Sequence, residues 1–151
     1  MTAKKAPARA PKPAGPDLIA LARAAQARAY APYSGFRVGC ALVTPDGTVF
    51  TGANVENASY GLCVCAERNA LHAMVLAGHR DFAALAVATD IAPPASPCGM
   101  CRQTMLEFVV DPTRTIVTAV GPGAARAQWT VAELLPAGFT GKQLTPPPRR
   151  R

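Results

Sequence analysis

The stretch that decides the fold is residues 65–101, CAERNALHAMVLAGHRDFAALAVATDIAPPASPCGMC. Apolar side chains recur at helical spacing from the start of this stretch, and Gly78 marks a helix end, so its first part predicts a helix. The continuous apolar run Phe82–Thr89 predicts a buried strand. Ser96-Pro97 is typical of an N-cap followed by a first helical position, which predicts a second helix ending at about Val109.

Elements on either side of this stretch complete an α/β order. A helix is predicted from Leu18 to Tyr30 behind the N-cap Asp17. A hairpin is predicted where Val38–Thr44 and Thr48–Val55 flank a Pro-Asp-Gly turn. Towards the C-terminus we expect a strand at Thr115–Val120, a short strand near Trp129, and a turn or helix at Glu133–Leu135. This order predicts one α/β sandwich with a mixed sheet.

Length and charge indicate one neutral domain with two basic ends. The 151 residues suit a single hydrophobic core. Residues 1–16 and 145–151 lack apolar bulk, so we expect them to be disordered and the domain to occupy 17–144. The seven basic residues of these two ends account for the whole net charge of +7. Specific nucleic-acid binding is therefore not expected, because a recognising basic patch normally lies on the folded body.

The lack of a membrane-spanning or secretory segment and the number of cysteines indicate a reducing compartment. No apolar run approaches the roughly 18 residues of a membrane span, and no apolar segment follows Lys4-Lys5 as it would in a secretory signal. We therefore expect a cytoplasmic protein with no membrane contact. The cysteine count of five is odd, and cysteines in that compartment more often bind metal or do chemistry than form disulfides.

Three of the cysteines have the spacing of a metal site. Cys98 and Cys101 lie three residues apart at a predicted helix start, and Cys65 stands at another. Thiolates suit zinc, and helix N-termini stabilise them. Catalytic zinc sites typically use three protein ligands and leave the fourth position to water, so one Zn²⁺ per chain is predicted.

A structural zinc site or a redox pair is the alternative for these cysteines. A structural site needs a fourth ligand, and the remaining candidates are poorly placed: Cys63 points away, His72 and His79 lie too far along the helix, and Cys40 is expected to be a small buried residue. A redox Cys-x-x-Cys would leave Cys65 and Glu67 unexplained.

Two charged residues follow Cys65. Glu67 can reach a zinc-activated water without ligating the metal, which makes it a candidate proton carrier. Arg68 places a positive charge beside thiolates, and we expect it to hydrogen-bond the ligand sulfurs.

Cys65-Ala66-Glu67-Arg68 and Pro97-Cys98-Gly99-Met100-Cys101 resemble the signature of zinc-dependent deaminases. Over about residues 17–144 the chain is similar to the small homotetrameric cytidine deaminases, through these further motifs in matching order: Tyr33-Ser34, Phe36, Gly39, Asn54–Tyr60, Arg102-Gln103, Glu133–Pro136 and Phe139. Met100 and Cys40 depart from the family pattern, and neither departure removes a metal ligand. The resemblance implies a three-layer α/β/α sandwich with a mixed five-stranded sheet.

The resemblance also implies an activity and a site. The activity is zinc-dependent hydrolysis of cytidine and 2′-deoxycytidine to uridine and 2′-deoxyuridine plus ammonia, in pyrimidine salvage. Glu67 would move a proton first to ring N3 and then to the departing amine, and backbone groups around Ala66 and Cys98 would hold the tetrahedral adduct. The other residues implied to bind the nucleoside are Phe36 beside the base, Asn54 and Glu56 at the ribose, and Phe139 or, as a weaker candidate, Tyr60 from a neighbouring subunit of a homotetramer.

Other interpretations stay open at this point. Deaminases of nucleic-acid bases or of deoxycytidylate usually have His-x-Glu where this chain has Cys65. A blasticidin-type deaminase is less similar over Asn54–Tyr60, and a non-catalytic zinc module with nucleic-acid-binding tails leaves Glu67 without a role. Several residues also have a structural alternative: Asn54 and Glu56 as strand-end polar residues, Phe36 and Phe139 as core, and Arg102 as a solvated charge or a tetramer contact.

Overall fold

The computed structural model describes residues 15–144, so the predictions of disorder for 1–16 and 145–151 fall almost wholly outside the described residues. The elements are α1 Leu18–Gln26, β1 Gly39–Val43, β2 Val49–Ala53, α2 Ala66–Leu76, β3 Ala84–Ala88, α3 Gly99–Glu107, β4 Ile116–Val120, β5 Arg126–Thr130 and α4 Val131–Leu134, with 3₁₀ turns at Tyr60–Leu62 and Gly141–Gln143. In this range no helix is long and apolar enough to cross a membrane.

The strands form one mixed sheet in the order β2-β1-β3-β4-β5. β3 and β4 are parallel, and the other neighbouring pairs are antiparallel. The predicted hairpin is confirmed, since β1 and β2 pair from Gly39 opposite Ala53 to Val43 opposite Val49. Gly47 has a φ of +92°, which its missing side chain permits, and its N–H donates to the Thr44 carbonyl within the turn.

Helices cover both faces of the sheet, which confirms the three-layer sandwich. Successive strand residues point to opposite faces, and the core divides accordingly. One face packs under α2, α3 and α4 through Cys40, Leu42, Leu85, Val87 and Val117. The other face packs under α1 through the smaller set Ala41, Ala86, Ala88 and Val120.

Two strand glycines allow helices to lie very close to the sheet. A Cβ at Gly39 would stand 2.1 Å from the Ala22 carbonyl oxygen of α1. A Cβ at Gly52 would stand 2.4 Å from the Ala66 carbonyl oxygen of α2. The close contact at Gly52 fixes the first turn of α2, which contains Glu67, against the hairpin.

Two helix boundaries differ from the sequence predictions. α1 ends at Gln26 rather than Tyr30, because Tyr30 instead forms a parallel bridge with Val55. α3 begins at Gly99 and ends at Glu107, with Cys98 rather than Ser96 as its N-cap. The Ser96 hydroxyl accepts a hydrogen bond from Arg102 instead of capping the helix.

Candidate active site

The three predicted metal ligands meet where α2 and α3 begin. Cys65 and Cys98 are the N-cap residues of these helices, and Cys101 lies in the first turn of α3. The Sγ of Cys98 is 3.8 Å from that of Cys65 and 3.6 Å from that of Cys101, and all three sulfurs lie within 4.8 Å of one another. Tetrahedral zinc with Zn–S bonds of about 2.3 Å requires sulfurs about 3.8 Å apart, so the residues fit this metal.

Hydrogen bonding favours the charged form of one ligand. The Cys101 thiol first, and then Arg68, lower the pKa of Cys65 to about 5. The same sulfur–sulfur contact, together with burial, raises the pKa of Cys101, so metal binding at this site would release a proton.

Arg68 lies beside the Cys65 sulfur. Its Nη2 is 3.8 Å from the Cys65 sulfur and donates to the Cys63 carbonyl oxygen at 3.0 Å. These contacts place the guanidinium where it offsets the negative charge of the thiolates.

Glu67 is buried in the same place. Its side chain is 4% exposed in the first turn of α2, and it lines a cavity of about 180 Å³ together with Cys65 and Cys98. Burial, helped by the negative charge of Cys65, raises the pKa of its carboxyl. A carboxyl group with a raised pKa beside a metal can hold and return a proton near neutral pH.

Phe36, Asn54 and Ala66 line this cavity as well. The Asn54 side chain is already partly used, because its Oδ1 accepts from the Val38 N–H at 2.8 Å and its Nδ2 donates to the Phe36 carbonyl at 2.9 Å. A primary amide has two donors and two acceptor positions, so one of each is left for a ligand.

Glu56 and Tyr60 line a second cavity of about 260 Å³ rather than the one at the sulfurs. The Glu56 carboxylate accepts from the Tyr33 N–H at 2.9 Å, the Ser34 N–H at 3.1 Å and the Ser34 hydroxyl. The Ser34 hydroxyl first, and then these N–H groups, lower the pKa of Glu56. The Tyr60 ring is 75% exposed and packs edge-on against Tyr33, with the ring centroids 6.2 Å apart.

Phe139 is among the residues lining neither cavity. Its side chain is 55% exposed after α4, so the core alternative for this residue is wrong. Its carbonyl oxygen accepts a hydrogen bond from Gln103 Nε2 at 2.8 Å, which ties this segment to α3.

Thr89 is a further residue of the cavity, and no sequence motif indicated it. Thr89 is 1% exposed, directly follows β3 and lines the cavity that contains Glu67. The usable signal was its position, because ligands in α/β sheets bind outside the carboxyl ends of the strands.

Residues 16–118 match the sequence family described as the cytidine and deoxycytidylate deaminase zinc-binding region. The chain belongs to this family. Relatives include the cytidine deaminase of Halalkalibacterium halodurans, 47% identical over 127 residues that cover 84% of this chain and 95% of the relative. The cytidine deaminase of Sporosarcina psychrophila is 43% identical over 128 residues, covering 85% and 93%.

Solved structures of this family have the same fold. The structure of cytidine deaminase from Burkholderia pseudomallei is 51% identical with a TM-score of 0.76, and the match covers 81% of this chain and 96% of that one. The Mycobacterium tuberculosis enzyme is 38% identical with a TM-score of 0.68, covering 81% and 94%. Family membership and the three sulfurs together identify the protein as an enzyme whose metal is zinc.

Proposed function

We propose that the protein is a cytoplasmic homotetramer that hydrolyses cytidine and 2′-deoxycytidine to uridine and 2′-deoxyuridine plus ammonia, in pyrimidine salvage. The observation that supports this most directly is the buried carboxyl of Glu67 in one cavity with the Cys65 and Cys98 side chains. The names of the relatives, which are cytidine deaminases, support the substrate class.

Proton transfer is the role we assign to Glu67. When bound, zinc activates water as a nucleophile by lowering the pKa of that water to about 7. Glu67 would carry two protons in turn: the first from the water to ring N3 as oxygen adds at C4, and the second from the hydroxyl now on C4 to the amine nitrogen. As the second proton arrives, the bond from C4 to the amine nitrogen would break, ammonia would leave, and the C4 oxygen would become the carbonyl of the product.

Base recognition falls to the residues around Glu67. Phe36 lines the cavity and is half-buried, so its ring is available to flank a planar base. The backbone near Ala66 and Cys98, at the first turns of α2 and α3, offers helix N–H groups to the developing negative charge of the tetrahedral adduct.

Ribose recognition falls to Asn54 and Glu56. Asn54 retains one free N–H and one free lone pair inside the cavity at the sulfurs. Glu56 is held as an anion in the neighbouring stretch of chain, which suits it to accept a hydrogen bond from a ribose hydroxyl, chiefly the 3′-hydroxyl.

A homotetramer would bury the exposed apolar side chains near this site. Tyr33, Tyr60 and Phe139 are each more than half exposed, and Leu62 and Met100 are exposed as well. Large exposed aromatic and aliphatic groups favour contact with another protein surface. We assign Phe139, and more weakly Tyr60, to the site of a neighbouring subunit.

The test is ultraviolet absorbance of cytidine, 2′-deoxycytidine and blasticidin S with zinc-loaded protein. We expect loss of the cytidine and 2′-deoxycytidine bands.

The role of Glu67 is tested by substitution. Glu67→Gln should lower kcat by about 100- to 10,000-fold with zinc retained, because a positioned proton carrier contributes that much. Glu107→Gln, at the exposed end of α3, is the matched control and should leave kcat unchanged.

Two outcomes would contradict the proposal. No change in any of the three spectra, with zinc bound, would mean that the metal is structural or that the substrate is another amine. Unchanged kcat in Glu67→Gln would remove the proton-transfer role.

A further inference from the structure

The side chain of Arg102 donates three hydrogen bonds that have no part in the proposed reaction. Arg102 directly follows Cys101 on α3, and its guanidinium is half-buried. Nε donates to the Pro97 carbonyl oxygen at 2.7 Å, Nη1 to the Leu134 carbonyl oxygen at 3.0 Å, and Nη2 to the Ser96 hydroxyl at 2.8 Å. With three acceptors satisfied, this side chain is not a freely solvated helix charge.

Two of the acceptors belong to the segment that leads into Cys98. Cys98 is exposed, whereas Cys65 is half-buried and Cys101 is fully buried in the core. Packing therefore restrains Cys98 least among the three sulfurs. The position of its Sγ depends on the backbone immediately before it, which is where Arg102 binds.

The third acceptor connects this segment to the core. The Leu134 carbonyl lies at the last turn of α4, where helix carbonyls lack partners within the helix, and the Leu134 side chain is only 4% exposed. One planar guanidinium can bind all three acceptors because its donors point outward in a rigid fork. A lysine ammonium is a single point charge and cannot reproduce that arrangement.

We propose that Arg102 is a positioning residue for the zinc ligand Cys98. It joins the Ser96-Pro97 segment to the end of α4, and so holds the most exposed ligand at metal-binding distance from the other two. The proposal concerns the zinc site alone and does not depend on which amine is the substrate, so it is tested without turnover.

The test is the rate at which zinc-loaded protein gives up its metal to an excess of a coloured chelator at fixed neutral pH. Arg102→Met keeps the length of the side chain and removes its donors. We expect zinc release about 10- to 100-fold faster, the usual effect of removing a group that orients a metal ligand. Arg126→Met, at an exposed position of β5, is the matched control and should release zinc at the wild-type rate.

Two milder variants cover the case in which Arg102→Met does not fold. Arg102→Lys keeps the charge and should give an intermediate rate, and Ser96→Ala removes one acceptor and should speed release several-fold. A purely structural role would lower the thermal unfolding temperature with and without zinc and leave the release rate unchanged. Release within about twofold of wild type in both milder variants would overturn the proposal.

Discussion

Glu67 and Glu56 belong to the same part of the chain and have opposite environments. Burial raises the pKa of Glu67, whereas hydrogen bonds from Ser34 and Tyr33 lower the pKa of Glu56. Two carboxyl groups whose pKa values are pushed apart suit different tasks. Local surroundings alone therefore make one glutamate of this stretch a carboxyl able to hold a proton and the other a fixed anionic acceptor.

The two cavities differ in the same way. The cavity at Glu67 is lined by buried residues at β3 and the first turn of α2, among them Val87, Thr89, Ala66 and Glu67, all from one chain. The cavity at Glu56 is lined by exposed residues, including Tyr33 and Tyr60. Under the proposed function, the first cavity provides the chemistry and, through Asn54, one ribose contact. The second provides Glu56 to the ribose and Tyr60 to a neighbouring subunit.

The largest expected effect contrasts a cysteine of the three-sulfur cluster with a cysteine of the second cavity. Cys101→Ala removes a buried ligand and should reduce zinc from one ion per chain to near zero, with turnover at background. Cys63→Ala is the matched control, because Cys63 lines the second cavity and its sulfur accepts the Asn57 N–H at 3.3 Å. Metal analysis of purified protein checks both, and full zinc in Cys101→Ala would show that this sulfur is not a ligand.

The next largest effect tests whether the carboxyl groups of Glu56 and Glu67 have different roles. Glu56→Gln should raise KM for cytidine by about 10- to 100-fold, since hydrogen bonds to charged groups contribute roughly 1.5–3 kcal/mol. Its kcat should change far less than that of Glu67→Gln. Steady-state kinetics on both variants provides the comparison, and an equal fall of kcat in the two would place Glu56 in the chemistry.

A third effect concerns the neighbouring subunit. Phe139→Ala should raise KM by about 5- to 150-fold, the equivalent of the roughly 1–3 kcal/mol that base–aromatic stacking contributes. Co-expression of Phe139→Ala chains with Glu67→Gln chains gives mixed tetramers. If Phe139 acts in the site of a neighbouring subunit, some sites of these tetramers will combine the intact Glu67 of one chain with the intact Phe139 of its neighbour.

Such mixed tetramers should show a fraction of turnover at the wild-type KM. Tetramers of Phe139→Ala mixed with the double variant are the control, and they should show none. Equal behaviour of the two mixtures would place Phe139 in its own chain's site or outside any site.

Short-range patterns predicted much of the molecule. The apolar periodicity of α2, the buried run of β3 and the Pro-Asp-Gly hairpin turn depend on neighbours in sequence, and all three elements formed as expected. The three sulfurs followed from the same logic, because each lies at or near a helix start. The local sequence was sufficient to predict these features, because interactions between residues close in sequence determine them.

Hydrogen bonds outside the helical pattern explain what the sequence did not reveal. Tyr30 lies outside the predicted helix because it pairs with Val55, which is remote in sequence. Ser96 does not cap α3, because its hydroxyl binds the side chain of Arg102 six residues further along the chain. Asn54 and Glu56 were both expected at the ribose, yet they line different cavities, since β2 ends at Ala53 and does not extend through them.

The smallest expected effect concerns how KM for cytidine depends on pH through Glu56 in the second cavity. Ser34→Ala removes the hydroxyl that does most to lower the pKa of Glu56, so that pKa should rise towards its ordinary value. A carboxylate with a lowered pKa contributes to binding above that pKa and loses its contribution as pH falls through it. The rise of KM in acid should therefore begin at a higher pH in Ser34→Ala than in wild type. KM for cytidine, measured from neutral pH downwards in both proteins, checks this.

Coincident profiles would mean that the Glu56 carboxylate does not contact the nucleoside. Its negative charge would then serve only to hold the Tyr33-Ser34 segment through the hydrogen bonds that it accepts.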